Sequence, residues 1–161
     1  MIVNNIKKDI EIILRGAGQT LRSFLYTDIT TCRKADGGLV TRADVEVESF
    51  LIEELQKIIP GSAIWAEESG KSGNSEYCWV IDPLDGTSNF ARGLPYFCIS
   101  IALMKNQKTI MGAIYQPVSD ELFFAAEGQS AFCNGVSIHP SAKNSLSGAM
   151  VVFSQIVQLH V

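Results

Sequence analysis

Apolar residues recur at intervals of three and four through the first part of the chain, at Val3, Ile6, Ile10, Ile13, Leu14, Ala17, Leu21 and Phe24. That period predicts an amphipathic helix over residues 3–25. Gly16 and Gly18 weaken it locally and point to close packing against a neighbour. The polar, Gly-ended segment TDITTCRKADGG (27–38) reads as a loop. A second stripe, Val47, Leu51, Leu55 and Ile58, predicts a helix from about Thr41 to Ile59, stopped by Pro60-Gly61.

The pattern then changes. SAIWA (62–66) is a short apolar run that reads as a strand, EESGKSGNSE (67–76) as a polar loop, and YCWVI (77–81) as a strand buried on both faces. After Pro95, FCISIALM, TIMGAIYQP and ELFFAAEG are three strands in a row, separated by KNQK and VSD, as in an antiparallel meander. FCNG reads as a turn, and AMVVFSQIV (149–157) as a last strand. Phe123, Phe124 and Phe132 fit the sheet core, and His139 the surface. Two helices before a mainly antiparallel sheet make the fold α+β.

The length of 161 residues fits a single domain able to bury a core without disulfides. The net charge of -4, with 13 scattered basic residues, argues against a nucleic-acid partner. Cys32, Cys78, Cys98 and Cys133 form no C-x-x-C pair and match no zinc spacing, so they read as small hydrophobes in a reducing cytosol. No signal peptide or membrane-length apolar stretch is apparent, and a cytoplasmic location is expected.

Five acids stand at suggestive places. Asp44 and Glu48 lie four residues apart, about 40° round a helix, and share the face of Leu51 and Leu55. Asp44 alone would equally suit a partly exposed capping acid in the first turn. Glu67 and Glu68 leave the strand IWA on opposite sides, so only one of them would serve a site at the strand end, and the pair would equally suit a solvated loop start. Asp82 and Asp85 end the strand YCWVI. A plain Asp-Gly turn accounts for Asp85-Gly86, but an acid straight after a buried strand is costly unless compensated.

Carboxylates brought together repel one another, and a divalent cation removes that penalty. Oxygen donors without His or Cys suit Mg²⁺, Mn²⁺ or Ca²⁺ rather than Zn²⁺. Gly86 and Thr87 offer free backbone N–H groups at the apparent helix start TSNF, a seat for an anion. Acids for metal beside amides for phosphate read as metal-assisted phosphoryl chemistry. The aspartates in DPLDGT are three apart, against the D-x-D-G-T of haloacid-dehalogenase-type enzymes. A glycosidase would leave the Gly-Thr seat without purpose, and His139 and His160 lie in a polar tail, where a triad is not expected.

In LVTRADVEVE (39–48), AEES (66–69) and WVIDPLDGTSNF (79–90), the chain resembles the inositol monophosphatase family of lithium-sensitive sugar-phosphate phosphatases. LPYFCISIALM, GAIYQPVSDELFFAAEG and AFCNG are also similar to family segments. The resemblance implies the first half of a layered αβαβα fold, with the metal site at one sheet edge. It implies Mg²⁺ ligands at Glu67, Asp82, Asp85 and the Leu84 carbonyl, with Asp82 bridging two metals. Asp44 and Thr87 would orient and activate the attacking water, with Glu67 also catalytic. Gly86 and Thr87 amides would hold the phosphate, and Lys34 would serve a metal-site loop. Inositol monophosphate or a related sugar or polyol phosphate would be the substrate, without a membrane or nucleic-acid partner, and a homodimer is expected.

Ala66 stands where the family has Gly. The family's second half, with a W-D motif that completes the second metal site, has no counterpart here. Two readings therefore stand: Mg²⁺-dependent hydrolysis of a small phosphate monoester, or a truncated, catalytically inactive metal-binding fragment of such a phosphatase.

Overall fold

The computed structural model describes residues 2–25, 31–33, 39–148 and 150. Helix α1 (Ile2–Phe24) is followed by a short antiparallel pair, β1 (Thr31–Arg33) and β2 (Leu39–Thr41), and by helix α2 (Arg42–Ile58). Then come β3 (Ala63–Ala66), β4 (Gly70–Ser72), β5 (Tyr77–Asp85), the short helix α3 (Thr87–Phe90), β6 (Cys98–Lys105), β7 (Lys108–Gln116), β8 (Glu121–Ala126), β9 (Ala131–Cys133) and β10 (Val136–Ile138). Strands β3 to β10 form one sheet in the order β10-β9-β8-β7-β6-β5-β3-β4. The fold is α+β, as its periodicities predict.

One core lies between the two long helices and one face of the sheet. Alternation along the strands sends Trp79, Ile81, Ile99, Ile101, Leu103, Met111, Tyr115, Leu122 and Phe124 inward. The helices answer with Ile10, Leu14, Leu21, Val47, Leu51 and Leu55. Each such side chain contributes about 1.5–3 kcal/mol by leaving water. The hairpin β6–β7 turns at Asn106 and Gln107 (φ 48° and 65°), and β9–β10 at Asn134 and Gly135 (φ 48° and 80°). These are positive-φ pairs of the kind that suits the twist of two-residue hairpins.

Several expectations are corrected. The segment 67–76 is not all loop: β4 pairs back on β3 there. The segment 27–38 holds β1. The sheet is mainly antiparallel, as expected, and its one parallel pair among the described residues is β3 with β5. Strand β5 continues to Asp85, and its buried positions are Trp79, Ile81, Pro83 and Leu84, while Tyr77, Cys78, Val80 and Asp82 are only half-buried. FCNG is the middle of a hairpin rather than a bare turn. None of Cys32, Cys78, Cys98 and Cys133 is fully buried, and all four thiols are free. Phe124 is core, but Phe123 is exposed on the other face and Phe132 is half-buried under Lys7. The other face carries a shallow groove of about 310 Å³ lined by Ala102, Ile114, Phe123 and Ile138, among others. The strand expected at 149–157 lies outside the described residues, apart from Met150. Among the described residues, no helix is long and apolar enough to cross a membrane.

Gly18 shows why α1 tolerates glycine. A Cβ there would drive into the Tyr115 ring and come within 3.2 Å of Pro117 Cβ. The Tyr115 hydroxyl donates to Asp120 Oδ1 at 2.7 Å, and Arg22 donates to the Pro117 carbonyl at 2.8 Å, so neither neighbour moves freely. Gly18→Ala is expected to destabilise the protein by about 1–3 kcal/mol through overpacking, although alanine alone favours a helix by about 1 kcal/mol. A denaturant midpoint at or above wild type would show that α1 shifts away without cost.

Candidate functional site

Parallel pairing lays the carboxyl end of β3 against the middle of β5. Ala66 pairs with Ile81, and the Glu67 N–H donates to the Ile81 carbonyl at 3.1 Å. The next residues are Glu67 on one strand and Asp82 on the other. The candidate site therefore lies where the β3–β5 pairing ends, inside the sheet order between β4 and β6.

After Asp82 the register breaks. Asp82 pairs with Ser100 and Asp85 with Cys98, so three steps along β5 match two along β6. The extra residue is a bulge, and Pro83, which cannot donate to a ladder, sits inside it. The Leu84 N–H turns back to Asp82 Oδ1 at 3.1 Å.

Asp82 is an acid under pressure. Burial pushes its carboxyl up to about 7, helped by the charge of Glu67, a side-chain hydrogen bond with Glu67, and the charge of Asp85, while the Leu84 N–H pulls it down. Cys98 responds to the same negative field. Its Sγ donates to Asp85 Oδ2 at 3.8 Å. Burial first, then Asp85 and Asp82, push the thiol up to about 12. A thiol so hard to ionise is no nucleophile.

Gly86 makes the next turn at φ 96°, and a Cβ there would come within 2.7 Å of the Tyr96 carbonyl. Only glycine fits both the conformation and the space. The turn opens α3, which is held by the edge-to-face contact of Phe90 with Phe97, 4.9 Å between centroids. Asn89 also donates to the Tyr96 carbonyl at 2.8 Å.

Asp44 reaches this turn from α2 and is only 1% exposed. It is more than a capping acid. Its Oδ2 accepts the Thr41 N–H at 2.8 Å and the Thr41 hydroxyl at 2.5 Å, closing a capping box. Its Oδ1 lies 3.1 Å from Thr87 Oγ1. The same hydroxyl stands 3.0 Å from the Leu84 carbonyl, so Thr87 links the buried acid to the bulge.

The structure thus brings Glu67, Asp82 and Asp85 into one field, and Asp44, Leu84, Gly86 and Thr87 into an adjoining network. Lys34 lies outside the described residues. Thr41, which fixes Asp44, was not anticipated, although T-x-x-D at a helix start spells a capping box. Cys98 was also missed, because only strand register places it beside Asp85. Among the described residues, no three carboxylate, imidazole or thiol groups form a ready-made cation cage. The donor chemistry nevertheless suits a hard divalent cation: the side chains acting on Asp82 are the carboxylates of Glu67 and Asp85, oxygen donors whose charges are negative.

The chain matches the Inositol monophosphatase family over residues 4–160. It is 44% identical over 117 residues to an inositol monophosphatase of Dictyostelium discoideum, covering 70% of this chain and 43% of that protein. It is similar in fold to the extragenic suppressor protein suhB of Bartonella henselae, with TM-score 0.82 and 34% identity over 91% of this chain and 57% of that one. An IMPase/NADP phosphatase complexed with Mg²⁺ and phosphate gives TM-score 0.73 and 26% identity, covering 85% of this chain and 53% of that one. The chain spans about half the length of the curated relatives it matches.

A carboxyl at about 7 in the fold keeps a proton that the unfolded chain, at roughly 3.9, has already lost. Its contribution to stability is complete below about pH 4 and is lost as pH rises through about 7. In metal-free protein, Asp82→Asn is therefore expected to flatten the fall in Tm across that window and to raise Tm at pH 8. Calorimetry at several pH values checks this. Identical profiles for variant and wild type would mean that Asp82 does not titrate there.

Proposed function

Because the chain belongs to the inositol monophosphatase family, we propose that it contributes to Mg²⁺-dependent hydrolysis of a small phosphate monoester, an inositol monophosphate or a related sugar or polyol phosphate. The observation that supports this best is Asp82, crowded by Glu67 and Asp85 at the end of a buried strand. Such a cluster is unfavourable by itself and favourable around a cation.

In this reading the carboxylates of Glu67, Asp82 and Asp85 and the carbonyl of Leu84 hold Mg²⁺. When bound, Mg²⁺ offsets their repulsion, polarises the phosphoryl group and makes water a better nucleophile. Thr87 and Asp44 handle the proton. Thr41 fixes Asp44 through Oδ2 and leaves Oδ1 for Thr87. Thr87 Oγ1 takes a proton from the attacking water as its own passes to Asp44 Oδ1. The N–H groups of Gly86 and Thr87 donate to phosphate oxygens, in a turn that a Cβ at Gly86 would obstruct. Glu67, beside Asp82, orients the water as well as binding metal.

The test is phosphate release from inositol-1-phosphate by the 161-residue chain, with and without Mg²⁺, beside Asp85→Asn. Mg²⁺-dependent turnover that falls by about 100-fold or more in the variant is expected, as for loss of a group that stabilises transition-state charge. Absence of turnover in the wild-type chain would favour the second reading, a metal-binding but inactive fragment.

A further inference from the structure

Glu48 is a buried acid that this chemistry does not use. It lies one helical turn beyond Asp44 on α2 and is 4% exposed. Its Oε2 accepts the Glu68 N–H and its Oε1 accepts the Ser69 N–H, each at 2.8 Å. Both oxygens are thus committed to two successive backbone amides some twenty residues away. The amide just before them, that of Glu67, bonds to the Ile81 carbonyl on β5. Three consecutive N–H groups of the turn after β3 are therefore held, one by the sheet and two by a single helix side chain.

Burying a carboxylate in this way is costly, and it is offset only by matched donors. A helix face that needed nothing but packing would be served by leucine, as at Leu51 and Leu55 beside it. We infer that Glu48 is a positioning residue, which fixes the Glu67–Ser69 turn so that the Glu67 carboxylate stays against Asp82. This rests on the metal-site reading above. Helix α2 then sets both sides of the site from one rigid face: Asp44 reaches the Thr87 side and Glu48 the Glu67 side. Glu48 touches neither metal nor substrate in this assignment and acts through the backbone next to a ligand.

Glu48→Gln separates this role from packing. The amide keeps the shape and reach of the side chain but offers one acceptor, and it turns an NH₂ toward a second N–H donor. Mn²⁺ binding to the whole chain, read from the spin-resonance signal of free Mn²⁺, is compared for wild type, Glu48→Gln and Asp82→Asn. The expected result is saturable binding by wild type and none by Asp82→Asn. Glu48→Gln is expected to bind about 10–100-fold more weakly, the range seen when partners outside the ligand shell are removed. Excess Mn²⁺ should saturate it to the same stoichiometry.

If Glu48→Gln proves unfolded by circular dichroism, Ser69→Pro removes one of the two donors and leaves α2 untouched, and the same weakening is expected. A folded Glu48→Gln, or in its place Ser69→Pro, that binds Mn²⁺ within twofold of wild type overturns the inference while the metal site stands. Wild type without saturable binding, or Asp82→Asn binding like wild type, overturns the metal-site reading, and the role of Glu48 with it.

Discussion

Asp82 is forced to occupy a place where its charge is unwelcome. It follows the buried stretch Trp79–Ile81, shares a hydrogen bond with Glu67 and feels Asp85, so its carboxyl rises to about 7. Among the described residues, the Leu84 N–H relieves it. The bulge, the left-handed Gly86 and the short helix α3 all follow within a few residues, and each turns the chain without carrying the acids apart. Local conflict of this kind is expected where a site and a fold make different demands on one segment.

Helix α2 resolves the conflict on the protein side. Its first two turns bury two acids among leucines, and both are satisfied by donors from other segments. Asp44 takes Thr41 and Thr87, and Glu48 takes Glu68 and Ser69. Packing of Val47, Leu51 and Leu55 against the sheet fixes the helix, and the acids convert that fixed position into fixed positions for two loops. The stability of the core and the geometry of the site are thus set by one element.

Much of this was legible in the sequence. The periods of three to four and of two placed α1, α2 and the β6–β8 meander, and the wheel position of Asp44 and Glu48 foretold their burial. The sequence D-P-L-D-G-T named the residues of the strand end before any fold was known. What stayed hidden depends on pairing between distant segments. The short strands β4, β9 and β10 are three residues each, too brief for alternation to register. The parallel pairing of β3 with β5 leaves no mark on either strand alone. The exposure of Phe123 follows from which face the helices cover, and apolar character does not decide that. The partners of Glu48 are backbone amides, which have no sequence signature.

The parallel pair also explains where the site sits. In an antiparallel sheet adjacent strands end at opposite sides, so residues leaving two neighbours are kept apart. At β3–β5 the parallel pairing stops at Ala66 and Ile81, and the residues that follow on the two chains, Glu67 and Asp82, emerge side by side. No hairpin can join such a pair, and β4 and the polar turn after it make the return instead. Ligand sites in open α/β sheets form for the same reason at the carboxyl ends of parallel strands. Here one parallel pair, set between β4 and β6, is enough to gather the acids. The antiparallel β6 then brings Cys98 and Ser100 alongside Asp85 and Asp82. Strand direction, rather than the identity of any single acid, is what makes this corner of the sheet electrostatically unlike the rest.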